Sequence, residues 1–217
     1  RLPDMGKVSK SRAPYLRFST GQSFTPPSMG LGKYNSLKSD FYNSLNPHDS
    51  ILGPAQDFVS KFFKGNVLGT QFRGGDLLKN GICLGAVQSL PYIDPHIRDY
   101  DVIFVTTNDP SFINFLKPIY PDKEFVYFAN PEEGSRDTSG SQGGAFWANK
   151  GRLKLMAQDL IEWYILAEVD LLIGSFASSF SYESLFINKR TKFIEIKNPA
   201  REMKAYWTRN TRDLVYL

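Results

Sequence analysis

Residues 169–184 read VDLLIGSFASSFSYES, and this stretch decides the fold. Leu171, Leu172 and Ile173 form a short apolar run of the kind buried on both faces of a parallel sheet, and Gly174 closes it. Beyond the glycine the composition changes. Ser175, Ser178, Ser179 and Ser181 set hydroxyls and backbone N–H groups just past the carboxyl end of the expected strand, interleaved with Phe176 and Phe180, and residues 182–188 read as the first turns of a helix. A strand, a turn of small residues and a helix N-terminus together make a cradle for a phosphate. The same serines would serve equally well as ordinary helix caps.

A second stretch, residues 67–76 (VLGTQFRGGD), is another short strand that ends in an arginine, two glycines and an aspartate. Arg73 at a strand end can fork its guanidinium onto a phosphate, and Gly74 and Gly75 allow backbone to approach closely. Two strand ends in one small domain thus carry groups suited to an anion.

Working outward, residues 51–63 repeat apolar positions at helical spacing, after a proline and capping residues at 46–50. Residues 76–99, which contain Pro91 and Pro95, read as loop. Residues 100–105 are a predicted strand, and Asp109-Pro110 is predicted to open a helix through Leu116; Asp109 is then a helix cap or a ligand contact. Residues 125–128 are a further strand, 130–145 a long loop, 149–168 a helix and 192–196 a last strand, with residues 206–216 packing a terminal helix. Strand and helix alternate throughout. The predicted fold is therefore α/β, a Rossmann-like open parallel sheet with helices on both faces, whose ligands bind outside the carboxyl ends of the strands. Arg73, Asn108, Asp109 and Ser178 all fall there. Residues 1–50, rich in proline, glycine, serine and lysine, are expected to be an irregular linker or the remnant of another lobe, and residues 51–217 the ligand-binding Rossmann-like domain.

With 217 residues and 41% hydrophobic content the chain can bury one good core. The formal charge of +4 suits an anionic ligand without demanding nucleic acid, since no long basic run occurs. Two histidines and one cysteine, Cys83, supply no Cys/His metal cluster, and no metal or other cofactor is expected. Either histidine reads more readily as surface or capping than as catalytic. A single cysteine and the lack of any Asn-x-Ser/Thr acceptor lean toward a cytoplasmic setting, and no run of about 18 apolar residues encodes a membrane span. A chain that opens on Arg1 rather than methionine is expected to be a processed product or an excised domain. Neither G-x-x-x-x-G-K-S/T nor G-x-G-x-x-G occurs, so the ATPase and dinucleotide readings lose their main support.

Taken together, the two strand-end motifs resemble the donor-binding half of the GDP-fucose-dependent fucosyltransferases, the family of the protein O-fucosyltransferases, core α1,6-fucosyltransferases and nodulation fucosyltransferases. The family's H-x-R followed by R/G-x-D is matched by Gln71-Phe72-Arg73-Gly74-Gly75-Asp76, and its D-x-x-I-G-x-x-x-S-S-F by Asp170, Ile173, Gly174, Ser178, Ser179 and Phe180. Residues 101–110 (DVIFVTTNDP) look like the family's strand ending in A-T-D-D-P. The resemblance implies the donor lobe of a two-lobed GT-B glycosyltransferase that inverts at fucose, with a glycan or glycoprotein as acceptor and an ER or Golgi lumen as the alternative compartment. It implies Arg73 as the catalytic residue and Gln71, Gly75, Asp76, Asn108, Asp109, Ser178, Ser179 and Phe180 as donor contacts. Three positions depart from the family: Gln71 replaces its histidine, Gly74 stands where some members carry a second arginine, and no acidic residue occupies the region of Gly81. No general base is named. A different nucleotide sugar, or a nucleotide-binding module without catalysis, is the alternative reading.

Glu162 joins this set on separate grounds. Leu160, Ile161, Trp163, Tyr164 and Ile165 surround it with apolar side chains, so its carboxylate is expected to be desolvated and held by donors. Those donors are a lysine or arginine, or the adjacent N1–H and N2–H₂ of guanine, which one carboxylate accepts bidentately. The family carries an aspartate eight residues before its D-x-x-I-G, the position Glu162 holds relative to Asp170.

Overall fold

The structure, a computed structural model, describes residues 31–79, 81, 83–128, 152–175, 178–188 and 190–198. In chain order these form α1 (Leu31–Ser44), α2 (Asp49–Phe62), β1 (Val67–Phe72), α3 (Gly75–Lys79), α4 (Ala86–Ile97), β2 (Val102–Thr107), α5 (Ser111–Ile119), β3 (Glu124–Val126), α6 (Arg152–Leu166), β4 (Leu171–Ser175), α7 (Ser179–Ser184) and β5 (Lys192–Ile196). The strands make one five-stranded sheet in the order β3-β2-β1-β4-β5, and every pairing is parallel. This is the Rossmann-like α/β fold predicted from strand–helix alternation. The expected loop at 130–145 and terminal helix at 206–216 lie outside the described residues.

Strand periodicity sorts the core into two layers. Val67, Phe104, Leu172 and Phe193 face α2 and α6, which supply Phe58, Ile161 and Ile165. On the other face Leu68, Phe72, Ile103, Val105 and Ile173 meet Ile93 and Ile97 of α4 and Phe112, Ile113 and Leu116 of α5. With both faces covered, β1 and β4 are buried at every position, the polar Thr70, Gln71 and Ser175 of their carboxyl halves included.

Three expectations are corrected. Residues 76–99 are not loop but contain α3 and α4, and α4 accommodates both Pro91 and Pro95. Its apolar positions, Ala86, Leu90, Ile93 and Ile97, keep helical spacing, and their burial outweighs the missing amide donors. Residues 31–44, expected to be part of an irregular linker, form α1, whose Ser39 and Tyr42 are buried. Finally, β2 begins at Val102 and runs to Thr107, so the chain leaves the sheet at Asn108, two residues later than predicted. His48 caps α2, its Nδ1 accepting the Ser50 N–H at 3.2 Å, in keeping with a capping role.

Candidate functional site

The chain builds β1, β2 and β3 outward in one direction, then returns to place β4 on the opposite side of β1. The crevice between the carboxyl ends of β1 and β4 is therefore the topological switch point, where open α/β sheets bind ligands. Arg73 follows β1 and Ser175 ends β4. The Arg73 N–H donates to Ser175 Oγ at 2.9 Å, and that hydroxyl donates to the Gln71 carbonyl at 3.2 Å. One serine hydroxyl thus fastens the two strands just where they begin to part.

The β2 end closes the other side. Gly74 N–H donates to Asn108 Oδ1 at 2.8 Å, and Asp109 lies directly over Gly74, where an added Cβ would sit 2.7 Å from Asp109 Cβ. An arginine at position 74, as in some members of the resembled family, would require Asp109 to move. Gly75 adopts a φ of 64°, a left-handed conformation that explains a glycine there. Asp109 Oδ1 accepts from Ser111 N–H at 3.1 Å and Ser111 Oγ at 2.6 Å, while its own N–H is held by Thr107 Oγ1 at 2.9 Å. The N-cap of α5 is therefore Pro110, one residue later than the predicted Asp109, whose carboxylate instead accepts from Ser111, the first residue of the helix.

Above β4, α7 comes down as close as backbone allows. A Cβ on Gly174 would lie 2.5 Å from Ser181 Oγ and 2.8 Å from Phe193 Cε2. Successive residues of this six-residue helix are then tied in different directions. The Phe180 carbonyl accepts the Trp163 indole N–H of α6 at 3.1 Å, and Ser181 Oγ donates to Gln71 Oε1 of β1 at 2.7 Å. Tyr182 OH bonds Glu195 of β5, and Glu183 pairs with Lys38 and accepts Tyr42 OH of α1 at 2.7 Å. The sequence reading gave Ser175 and Ser181 to the anion cradle; their hydroxyls instead serve the scaffold. Ser178 stands at the N-cap position of α7 in extended conformation, with no capping bond from its side chain. The amides of Ser179 and Phe180 follow it in the first turn, where helical N–H groups lack intrahelical acceptors.

The structure therefore gathers Gln71, Arg73, Gly75, Asn108, Asp109, Ser178 and Phe180 at one edge; the side chains of Asp76 and Ser179 lie outside the described set. Asp170, the leading residue of the second motif, sits at the opposite edge, where its Oδ2 accepts Val67 N–H at 2.7 Å and aligns β1 with β4. Glu162 is 4% exposed, as its apolar surroundings predict, and its neighbour Trp163 places this turn of α6 against the start of α7.

Tyr182 and Glu195 were not singled out from the sequence. Burial pushes the Glu195 carboxyl above the usual carboxylate range, opposed by the Tyr182 bond and by Lys197. Burial, and then the Glu195 charge, pushes the Tyr182 hydroxyl well above its own. The available signal was strand parity: Glu195 shares a sheet face with Phe193, so it had to point inward. Across the sheet, Thr106, Gln71, Gly174 and Glu195 occupy one transverse row, a buried polar shelf beneath the crevice with an apolar row below it.

No protein-family model matches the chain, and no curated protein does. Among solved structures it is similar to POFUT1 in complex with GDP-fucose, at 13% identity and a TM-score of 0.50 over 75% of this chain and 49% of that one. It is also similar to NodZ α-1,6-fucosyltransferase soaked with GDP-fucose (14% identity, TM-score 0.47, 77% and 49% covered) and to fucosyltransferase NodZ from Bradyrhizobium (16%, 0.41, 68% and 44%). The chain spans about half the length of these structures. At such identities the likeness is one of fold.

Proposed function

We propose that the chain is the donor-binding part of a glycosyltransferase, specifically an inverting, metal-independent fucosyltransferase that uses GDP-fucose and a glycan or glycoprotein acceptor. The observation that carries this reading is the Arg73 N–H to Ser175 Oγ bond, which joins the two fucosyltransferase-like motifs at the switch point of the sheet. Residues that sequence alone placed 102 positions apart meet there. The fold shared with POFUT1, which binds GDP-fucose, supports the same reading.

In this reading the diphosphate spans the crevice between Arg73 and the first turn of α7. Cleavage of the bond between the sugar's anomeric carbon and the leaving phosphate oxygen puts negative charge on the β-phosphate. A guanidinium fixed by its own backbone stabilises that charge more in the transition state than in the ground state. Ser178 and the Ser179 and Phe180 amides hold the same phosphates, while Asn108 and Asp109 shape the β2 side. Gln71 works through Ser181, setting α7 over the shelf, and Gly75 with Asp76 turns the chain away from the arginine. Guanine is assigned to Glu162.

Donor hydrolysis tests the reading. The protein is incubated with GDP-fucose, other GDP-sugars and UDP-sugars, and free nucleotide is measured beside calorimetric binding of GDP. GDP-fucose is expected to bind and turn over best, and Arg73→Ala to lose on the order of 2–4 kcal/mol of transition-state stabilisation. Unaltered GDP binding and turnover in Arg73→Ala refutes the phosphate assignment. Preferred turnover of a UDP-sugar replaces the donor.

A further inference from the structure

The residues that would touch phosphate lie at the start of a helix only six residues long, too short to hold its own position by intrahelical bonding. What fixes it comes from outside, and the most extensive of those ties reaches back to α1. Glu183 is 3% exposed; its carboxylate pairs with Lys38 Nζ through one oxygen and accepts Tyr42 OH at 2.7 Å through the other. The same two α1 residues enclose Phe186. Lys38 Nζ stands 4.7 Å over its ring, Tyr42 stacks on it at 6.1 Å, and Ser39 Oγ donates to its carbonyl at 3.3 Å. Tyr42 also meets Trp163 edge-on at 5.1 Å, and Trp163 holds the Phe180 carbonyl. Thus α1 reaches both ends of α7: directly at Glu183 and Phe186, and through Trp163 at Phe180.

We infer that Glu183, held by Lys38 and Tyr42, is a positioning residue for the phosphate-binding turn, so that α1 belongs to the donor site without touching the donor. The inference rests on the proposed phosphate site and names what sets its geometry. A buried carboxylate with two charge-assisted partners admits one arrangement, and a shift of α7 by an ångström would carry the Ser178–Phe180 turn away from Arg73. Tyr120 provides a control at a more exposed tyrosine–carboxylate bond. Its hydroxyl bonds the Asp94 carboxylate on the opposite face of the sheet, so Tyr120→Phe removes the same kind of bond far from α7.

The test compares Tyr42→Phe, Glu183→Gln and Tyr120→Phe by amide hydrogen exchange without ligand, thermal melting and GDP titration. Tyr42→Phe and Glu183→Gln are expected to speed exchange at residues 178–184 selectively and to weaken GDP binding on the order of tenfold. Tyr120→Phe is expected to leave GDP affinity and exchange at residues 178–184 unchanged, whatever it does to the melting temperature. The double variant Tyr42→Phe/Glu183→Gln should lose little more than either alone. If Tyr42→Phe leaves exchange at 178–184 as in the parent, or if Tyr120→Phe weakens GDP binding equally, the positioning role is refuted. If the parent itself binds no GDP, the phosphate assignment falls and with it the positioning role, while the exchange data still report whether α1 braces α7.

Discussion

Gly174→Ala is the most informative single perturbation, because one methyl group tests how tightly α7 is seated on the sheet. The added Cβ would lie 2.5 Å from Ser181 Oγ, 2.7 Å from Ser181 Cβ and 2.8 Å from Phe193 Cε2, against 3.4 Å or more in ordinary contact. Neither neighbour is a loose chain end. Phe193 is buried against Tyr182, and the Ser181 backbone is part of the helix. To clear the methyl, α7 has to recede by about 0.9 Å, which takes the 2.7 Å bond between Ser181 and Gln71 out of hydrogen-bonding range. Overpacking of this kind costs roughly 1–3 kcal/mol. Leaving the buried Gln71 Oε1 without its donor adds about 1–3 kcal/mol. The variant should therefore lose about 2–6 kcal/mol in urea denaturation and bind GDP more weakly than that loss of folded protein accounts for. Ser181→Ala should cost about 1–2 kcal/mol in the parent but little in the Gly174→Ala background, where the bond is already broken. A Gly174→Ala protein within 1 kcal/mol of the parent and with parental GDP affinity would refute the seating of α7 on bare backbone.

Three further outcomes follow from the site. Burial holds the Glu195 carboxyl above its ordinary 4.5, so its contribution to stability is complete below that pH and is lost as pH rises through the folded value. Glu195→Gln removes that loss, and its melting temperature relative to the parent should climb as pH rises above the ordinary carboxylate range; a constant offset would exclude the effect. Glu162→Gln should weaken GDP binding far more than ADP binding with little change in melting temperature, whereas equal losses would assign Glu162 to a structural ion pair. Donor turnover should persist in EDTA, since Arg73 with the start of α7 supplies the positive field and the Asp99/Asp101 pair precedes β2 at the amino edge. Activity that vanishes in EDTA and returns with Mn²⁺ would overturn this.

How legible the molecule was depended on where each signal was written. β4 was plain because a strand buried on both faces carries an apolar run, here Leu171 to Ile173, and residues 192–196 were placed without error. α4 was hidden by two prolines, residues that weigh heavily in a local reading but that tertiary burial of Ile93 and Ile97 overrides. α1 was hidden for a different reason. Its burial is made by polar residues whose partners, Glu183 and Phe186, stand more than 140 positions downstream, so no local window contains the pattern. The site divides in the same way. Arg73 and the Ser178–Phe180 turn were expected at strand ends and lie there, but which hydroxyls bond the scaffold was not legible, because Ser175, Ser178 and Ser181 look alike until the register of β1 against β4 is known.

The brace between α1 and α7 also sets a timetable for the molecule's making. Lys38 and Glu183 are 145 residues apart, and Ser181 and Gln71 are 110 apart. At ribosomal speeds of about 5–20 residues per second, α1 emerges on the order of ten seconds before the carboxylate that Lys38 and Tyr42 enclose. During that interval the β1–β2 half can pair and collapse, but α1 has nothing to close upon. The contact that Glu183 of α7 makes with Lys38 closes a long stretch of chain and is costly in chain entropy. Among the described elements α7 is accordingly expected to settle after the β1–β2 half, and a nascent chain interrupted before residue 183 would lack the Glu183 tie between α7 and α1.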